Sequence, residues 1–217
     1  MINFVQNITL NSTTILPKLT ELPIMEAFYT LQGEGKHVGK PAYFIRLGGC
    51  DVGCHWCDVK ESWDAGLHAV QSIHEIVEGA TSHPSRFAVI TGGEPVMYNL
   101  DELCSTLIES NFELAIETSG AYPLTGKWHW ICLSPKRRKP PLEEYYGKAN
   151  ELKVIIFNKA DFLWAEEHAK KVNKNCKLYL QVEWSKRDEL TPMIIEYVKQ
   201  HPKWNISVQT HKYLNIP

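Results

Sequence analysis

The stretch AYFIRLGGCDVGCHWCD, Ala42 to Asp58, joins a strand to a chemical loop. Ala42 to Gly48 is a short, mostly apolar run with aromatic and β-branched residues, the composition of a buried strand. It passes directly into Cys50, Cys54 and Cys57, a C-x3-C-x2-C spacing. Three thiolates nearly fill a tetrahedral metal site but leave one position open. A structural zinc site usually takes two separated pairs of ligands, and no second C-x-x-C occurs in the chain. A histidine could close the site instead, and His55 is adjacent.

Outward from this stretch, strand-like and helix-like patterns alternate. Ser72 to Ala80 has helical spacing with Ser72 as N-cap. RFAVIT, Arg86 to Thr91, is an apolar run closed by Gly92 and Gly93; Leu100 to Ser110 is again helical and Phe112 to Thr118 strand-like. WHWICLS, ELKVIIF, LYLQVEW and WNISVQT supply further strands, with helices between Lys159 and Val172 and between Asp188 and His201. Such alternation predicts βα units, a mostly parallel sheet and right-handed crossovers. Six or seven strands make an incomplete TIM-type βα barrel rather than a closed one of eight. In such folds the chemistry gathers at the C-terminal strand ends, and the distinctive polar groups fall there: the cysteines, GGEP, TSG, SPK and QTHK.

The 217 residues, 44% apolar, suit one globular domain over 24–217, with residues 1–23 expected as a disordered N-terminal extension. Those first residues lack the basic n-region of a secretory signal, and no run approaches a membrane span. A cytoplasmic protein with reduced thiols is therefore expected. A net charge of -2 gives no electrostatic reason to expect nucleic acid or an anionic membrane as partner. Cys104, Cys132 and Cys176 stand singly in apolar or amphipathic stretches and are expected as small core residues. The cationic run within KRRKPPLEEYYGKANE, Lys136 to Glu151, is expected in an exposed loop, either as a solvated turn or as a docking patch for an acidic redox partner.

A C-x3-C-x2-C loop after a strand, with Trp56 before the last cysteine, resembles the signature of the radical S-adenosylmethionine (SAM) superfamily. The resemblance implies that Cys50, Cys54 and Cys57 hold a 4Fe-4S cluster whose fourth iron binds SAM, so that the open position is the working one. GGEP, Gly92 to Pro95, would alone be a turn; beside the cysteine loop it is similar to the motif that holds the SAM amino group in that superfamily. FYTLQGEG, Phe28 to Gly35, is by itself a polar turn before a strand, with Gln32 and Glu34 exposed. Together with FIRLGGC, WCDVKESW, TGGEP, ETSG, SPK and QTHKYLNIP, it resembles the 7-carboxy-7-deazaguanine synthase family from about Ile24 to Pro217.

That resemblance implies a carbon-nitrogen lyase that contracts the ring of 6-carboxy-5,6,7,8-tetrahydropterin with loss of ammonia, on the route to queuosine and other 7-deazapurines. It also implies magnesium, a flavodoxin or ferredoxin as electron donor and a homodimer. By motif position, substrate contacts fall on Leu31, Gln32, Gly33, Glu34, Arg46, Thr91, His211 and Pro217. Arg46 can pair bidentately with a carboxylate, and Gln32 and Glu34 offer hydrogen-bonding edges to an aminopyrimidinone. SAM contacts fall on Trp56, Cys57, Asp58, Gly93, Glu94, Ser119, Ser134, Pro135, Lys136 and Gln181. For His211 an exposed surface histidine is the plain alternative; for Gln181 it is an ordinary strand residue, since QVEW lacks the proline and aspartate of the family loop. Another radical SAM enzyme, such as a glycyl-radical activase, and a zinc or electron-transfer module are the competing readings. One departure stands out. The family carries Thr or Ser after the Cys-Asp pair as a magnesium ligand, whereas this chain has Val59, which has no side-chain oxygen.

Overall fold

The protein is described from a computed structural model over residues 19–217; of the N-terminal extension expected over 1–23, residues 1–18 lie outside the described residues. Nine strands form one sheet: β1 (Glu21–Leu31), β2 (Pro41–Leu47), β3 (Ala69–Ser72), β4 (Phe87–Gly92), β5 (Glu113–Thr118), β6 (Trp130–Leu133), β7 (Glu151–Ile156), β8 (Lys177–Val182) and β9 (Trp204–Ser207). Their order is β3-β1-β2-β4-β5-β6-β7-β8-β9, open at both edges. From β2 to β9 all neighbours are parallel, and β1 pairs antiparallel with both β2 and β3.

Two sequence expectations change. FYTLQGEG is not simply a turn, because Phe28 to Leu31 complete β1. The boundary expected at residue 24 falls inside that strand, whose Leu22 is fully buried. An antiparallel edge pair has no crossover helix, so the βα alternation that announced the other strands did not announce these.

The helices are α1 (Ile73–Thr81), α2 (Asp101–Glu109), α3 (Glu144–Lys148), α4 (Ala160–Ala169), α5 (Arg187–Gln200) and α6 (Thr210–Leu214). The predicted N-cap of α1 forms a full capping box: Ser72 Oγ accepts from Glu75 N at 3.2 Å, and Glu75 Oε2 accepts from Ser72 N at 2.8 Å. The parallel strands advance in one direction across the sheet. With right-handed crossovers this places the connecting helices on one face, as in a barrel rather than a doubly wound sheet.

The period of two along each strand divides the residues accordingly. Tyr43, Ile45 and Leu47 of β2, Ala88 and Ile90 of β4, Leu114 and Ile116 of β5, and Leu152, Val154 and Ile156 of β7 join the main core. The opposite face carries a small cluster, Ala42, Phe44, Phe87, Val89 and Ala115. Continuing along that face toward the C-terminal strand ends, the side chains turn polar: Arg46, Thr91, Glu117, Lys153 and Gln181 all line one cavity.

The segment expected as an exposed loop, Lys136 to Glu151, contains α3, whose Tyr145 and Tyr146 are buried. Cys104 and Cys132 are buried as expected, and Cys176 is half-buried.

Candidate active site

A cavity of about 270 Å³ opens at the C-terminal ends of the parallel strands, and all five polar clusters picked out from the sequence reach it. Cys50, Cys54 and Cys57 form part of its wall after β2, Gly93 and Glu94 after β4, Ser119 after β5, Ser134 and Lys136 after β6, and His211 after β9. Leu31, Gln32, Gly33, Glu34, Arg46, Thr91, Trp56, Asp58, Gln181 and Pro217 line it too, as does Val59. Pro135 is buried beside Ser134 and is not among the residues lining the cavity.

The glycines of GGEP serve the chain's own backbone first. Gly92 has φ +124°, and a Cβ there would collide with the main chain of Leu47; a Cβ on Gly93 would collide with the Gly49 carbonyl. Gly93 N donates to Leu47 O and Glu94 N to Gly49 O, both at 2.9 Å, locking β4 against the start of the cysteine loop. Gly92→Ala is therefore expected to lower stability by at least about 1–3 kcal/mol from backbone conformation alone, as measured by urea unfolding, with looser seating of the cysteine loop.

Glu94, 2% exposed, is gripped by the end of β5. Its carboxylate accepts from Thr118 Oγ1 at 2.5 Å, from Ser119 N at 2.8 Å and from the Ser119 hydroxyl. Burial raises its pKa, and these donors work against the rise. Lys136 Nζ bonds Ser134 O at 2.9 Å and Ser134 Oγ at 2.6 Å, 5.5 Å over the Trp56 ring. Burial pulls its pKa down. Gln181 is buried and accepts from Ser207 Oγ at 2.6 Å, so it both braces β8 to β9 and borders the cavity.

The deeper wall holds a charge cluster that sequence reading found only in part. Lys153, 4% exposed, reaches Glu34 at 2.5 Å and Glu117 at 3.0 Å. Gln32 Nε2 donates to Glu117 at 2.9 Å and Gln209 Nε2 to Glu34 at 3.0 Å. Burial would raise the Glu34 carboxyl, but Lys153 and the Gln209 amide hold it at about 2, while the two carboxylates raise Lys153 well above the ordinary lysine value. Glu117, Lys153 and Gln209 were missed. For two of them the available signal was a charge inside a largely apolar strand, Glu117 in ELAIET and Lys153 in ELKVII, since burying one demands a partner.

Arg46 is half-committed. Its Nε lies 2.6 Å from Glu26 Oε1, yet the N–H is misaligned and Nε remains buried without a hydrogen bond. His211 is half-buried, not a surface histidine; its ring occupies the space a Cβ on Gly33 would need, and burial lowers its pKa. Thr210 N and Oγ1 both donate to Gly33 O at 2.9 Å, and Lys212 Nζ bonds Asp58 at 3.2 Å, so α6 ties the LQGEG turn to the cysteine loop.

The donor set fits a 4Fe-4S cluster. All three thiols are half-buried in one cavity wall. Among the described residues no three His, Cys, Asp or Glu are arranged around a single ion. A cluster, itself several atoms across, takes its thiolates further apart than one ion does.

The profile of the Radical SAM superfamily matches residues 44–130. A 7-carboxy-7-deazaguanine synthase of Flavobacterium psychrophilum is 60% identical over 196 residues, 90% of this chain and 93% of that protein. The synthase of the same name from Synechocystis is 50% identical over 89% of this chain and 93% of its own length. The crystal structure of QueE from Escherichia coli superposes with a TM-score of 0.77 at 32% identity, covering 87% of this chain and 93% of that one.

Proposed function

Because the chain belongs to the 7-carboxy-7-deazaguanine synthase family of the radical SAM superfamily, we propose that the cavity at its strand ends converts 6-carboxy-5,6,7,8-tetrahydropterin to 7-carboxy-7-deazaguanine with release of ammonia, as a carbon-nitrogen lyase. One observation carries the residue-level reading: a single cavity unites three cysteine thiols with buried Lys153 and Gln32 and half-buried Glu34 and Glu117. When bound, the cluster and SAM would supply the one-electron radical chemistry that starts the ring contraction, with Cys50, Cys54 and Cys57 holding the cluster.

The protein's part is to bind and orient. Cys50, Cys54 and Cys57 hold the cluster. Trp56, Asp58, Gly93, Glu94, Ser119, Ser134, Lys136 and Gln181 surround SAM, with the buried carboxylate of Glu94 as acceptor for its ammonium. Gln32, Glu34 and Glu117 accept from the amino and ring N–H groups of the aminopyrimidinone. Lys153 keeps the Glu34 carboxyl ionised against the effect of its burial. Arg46, whose Nε is not satisfied, meets the substrate carboxylate. Leu31, Gly33, Thr91, His211 and Pro217 complete the enclosure, which excludes water from a reactive radical.

Magnesium belongs to the proposal through Asp58, substrate oxygens and water, since Val59 offers no ligand. Turnover is expected to depend less on added magnesium than in Val59→Thr, measured as rate against free magnesium. Complete loss with chelator, restored at low micromolar magnesium in the unmodified protein, would count against this. A flavodoxin or ferredoxin donor and a homodimer rest on family resemblance; a cytoplasmic setting is supported by six cysteines outside any disulfide. The decisive assay is anaerobic, with reconstituted protein, SAM, reductant and the carboxytetrahydropterin. Deazaguanine product is expected; SAM cleavage without it would discard the substrate and retain the superfamily.

A further inference from the structure

The interval between the first two cysteines is held from outside. Gly53 sits at φ +66°, and its carbonyl, which belongs to the same peptide as the Cys54 N–H, accepts from Arg138 Nη1 at 2.8 Å. Lys139 Nζ bonds the two Asp51 oxygens at 3.0 and 2.8 Å and the Tyr122 hydroxyl at 2.6 Å, and Tyr122 in turn bonds Asp51. The Tyr122 carbonyl accepts from Tyr145 Oη at 2.8 Å, and Tyr145 is fully buried. The cationic run thus spends these charges on the cysteine loop, anchored through Tyr122 to the core.

We propose that Arg138 and Lys139 are positioning residues for the cluster loop: Arg138 sets a permanent positive charge on the peptide leading into Cys54, and Lys139 pins the loop mechanically through Asp51 and Tyr122. The inference rests on the radical SAM reading above. A guanidinium stays protonated at every working pH. On taking up one electron the cluster becomes more negative, so a fixed cation beside it favours the reduced form, and cluster potentials respond to such charge and to hydrogen bonds nearby. Lys139 and the Asp51 carboxylate largely offset each other, so the pair contributes geometry rather than field.

The test is an EPR-monitored redox titration of reconstituted protein without SAM or substrate, paired with the rate of iron release to a chelator. At the potential that half-reduces the wild-type cluster, Arg138→Gln should show a reduced-to-oxidised ratio about threefold lower, equivalent to ~28 mV for a one-electron couple. Arg138→Lys should keep the wild-type ratio. The paired change Asp51→Asn with Lys139→Met, which removes both charges together, should keep it also, but lose iron several-fold faster. An unchanged ratio in Arg138→Gln, a ratio in Arg138→Lys shifted as far as in Arg138→Gln, or unaltered iron release in the Asp51→Asn, Lys139→Met pair overturns the inference while leaving the proposed function standing. Absence of a 4Fe-4S signal from the wild-type protein overturns both.

Discussion

Lys153→Met is expected to destabilise the protein by about 3–5 kcal/mol, the cost of removing one partner from a buried ionic cluster. Lys153 is 4% exposed and faces Glu34 and Glu117 at 2.5 and 3.0 Å. Methionine fills most of the volume but leaves Glu34 buried as an uncompensated anion. The pH dependence separates this from a packing defect. In the wild type the Glu34 carboxyl is lowered from 4.5 to about 2, so its contribution is fully present above about pH 4.5 and fades as pH falls toward 2. In Lys153→Met the Glu34 carboxyl should instead rise, so that protonation relieves the strain and this contribution improves as pH falls. Urea unfolding of both proteins between pH 4 and 7 should give stability differences that narrow toward acid; a constant difference would point to packing alone. Substrate affinity should also fall, because Glu34 and Glu117 lose the cation that holds them in place.

Cys54→Ala is expected to abolish turnover completely. The thiols of Cys50, Cys54 and Cys57 are half-buried in one cavity wall, and two of them cannot hold a cluster that has already left one iron for SAM. Iron and sulfide should fall from about four of each per chain to a small fraction after anaerobic reconstitution. The thermal transition should change little, because Cys54 lies in a loop whose ends are fastened by other bonds: Cys50 N to Trp63 O at 3.1 Å and Glu94 N to Gly49 O at 2.9 Å. A variant that kept its cluster and its turnover would remove Cys54 from the ligand set and reopen the choice of metal centre.

Much of the fold was legible because its signals are local. Parallel strands buried on both faces read as continuous apolar runs, and β4, β5 and β7 lie within a residue of their expected limits. The N-cap of α1 was likewise readable from Ser72, and the structure adds Glu75 as its partner in a capping box. β1 and β3 were not, since β1 ends within a motif whose glycines suggest a turn, and β3 pairs with β1 from some way along the chain, Glu21 opposite Ser72. Segment Lys136 to Glu151 looked solvent-bound for a related reason. Charge and proline report local preference, whereas the partners that occupy Arg138 and Lys139 sit some 85 residues earlier.

By itself, then, the sequence determined the chemistry of this protein: three thiolates with one open position, GGEP at a strand end, and the motifs that mark its family. Residue type and short spacing are enough for that, because a ligand set is defined by what its atoms can bind. Only the tertiary structure decided how the cavity is charged and held. It brought Lys153 between Glu34 and Glu117, used the glycines of GGEP to seat β4 against the cysteine loop, and turned a cationic run inward onto Asp51 and Gly53. Those are contacts between residues far apart in the chain. Their pairing is imposed by the cost of burying a charge or a backbone group without a partner, which becomes visible only when the strands are side by side.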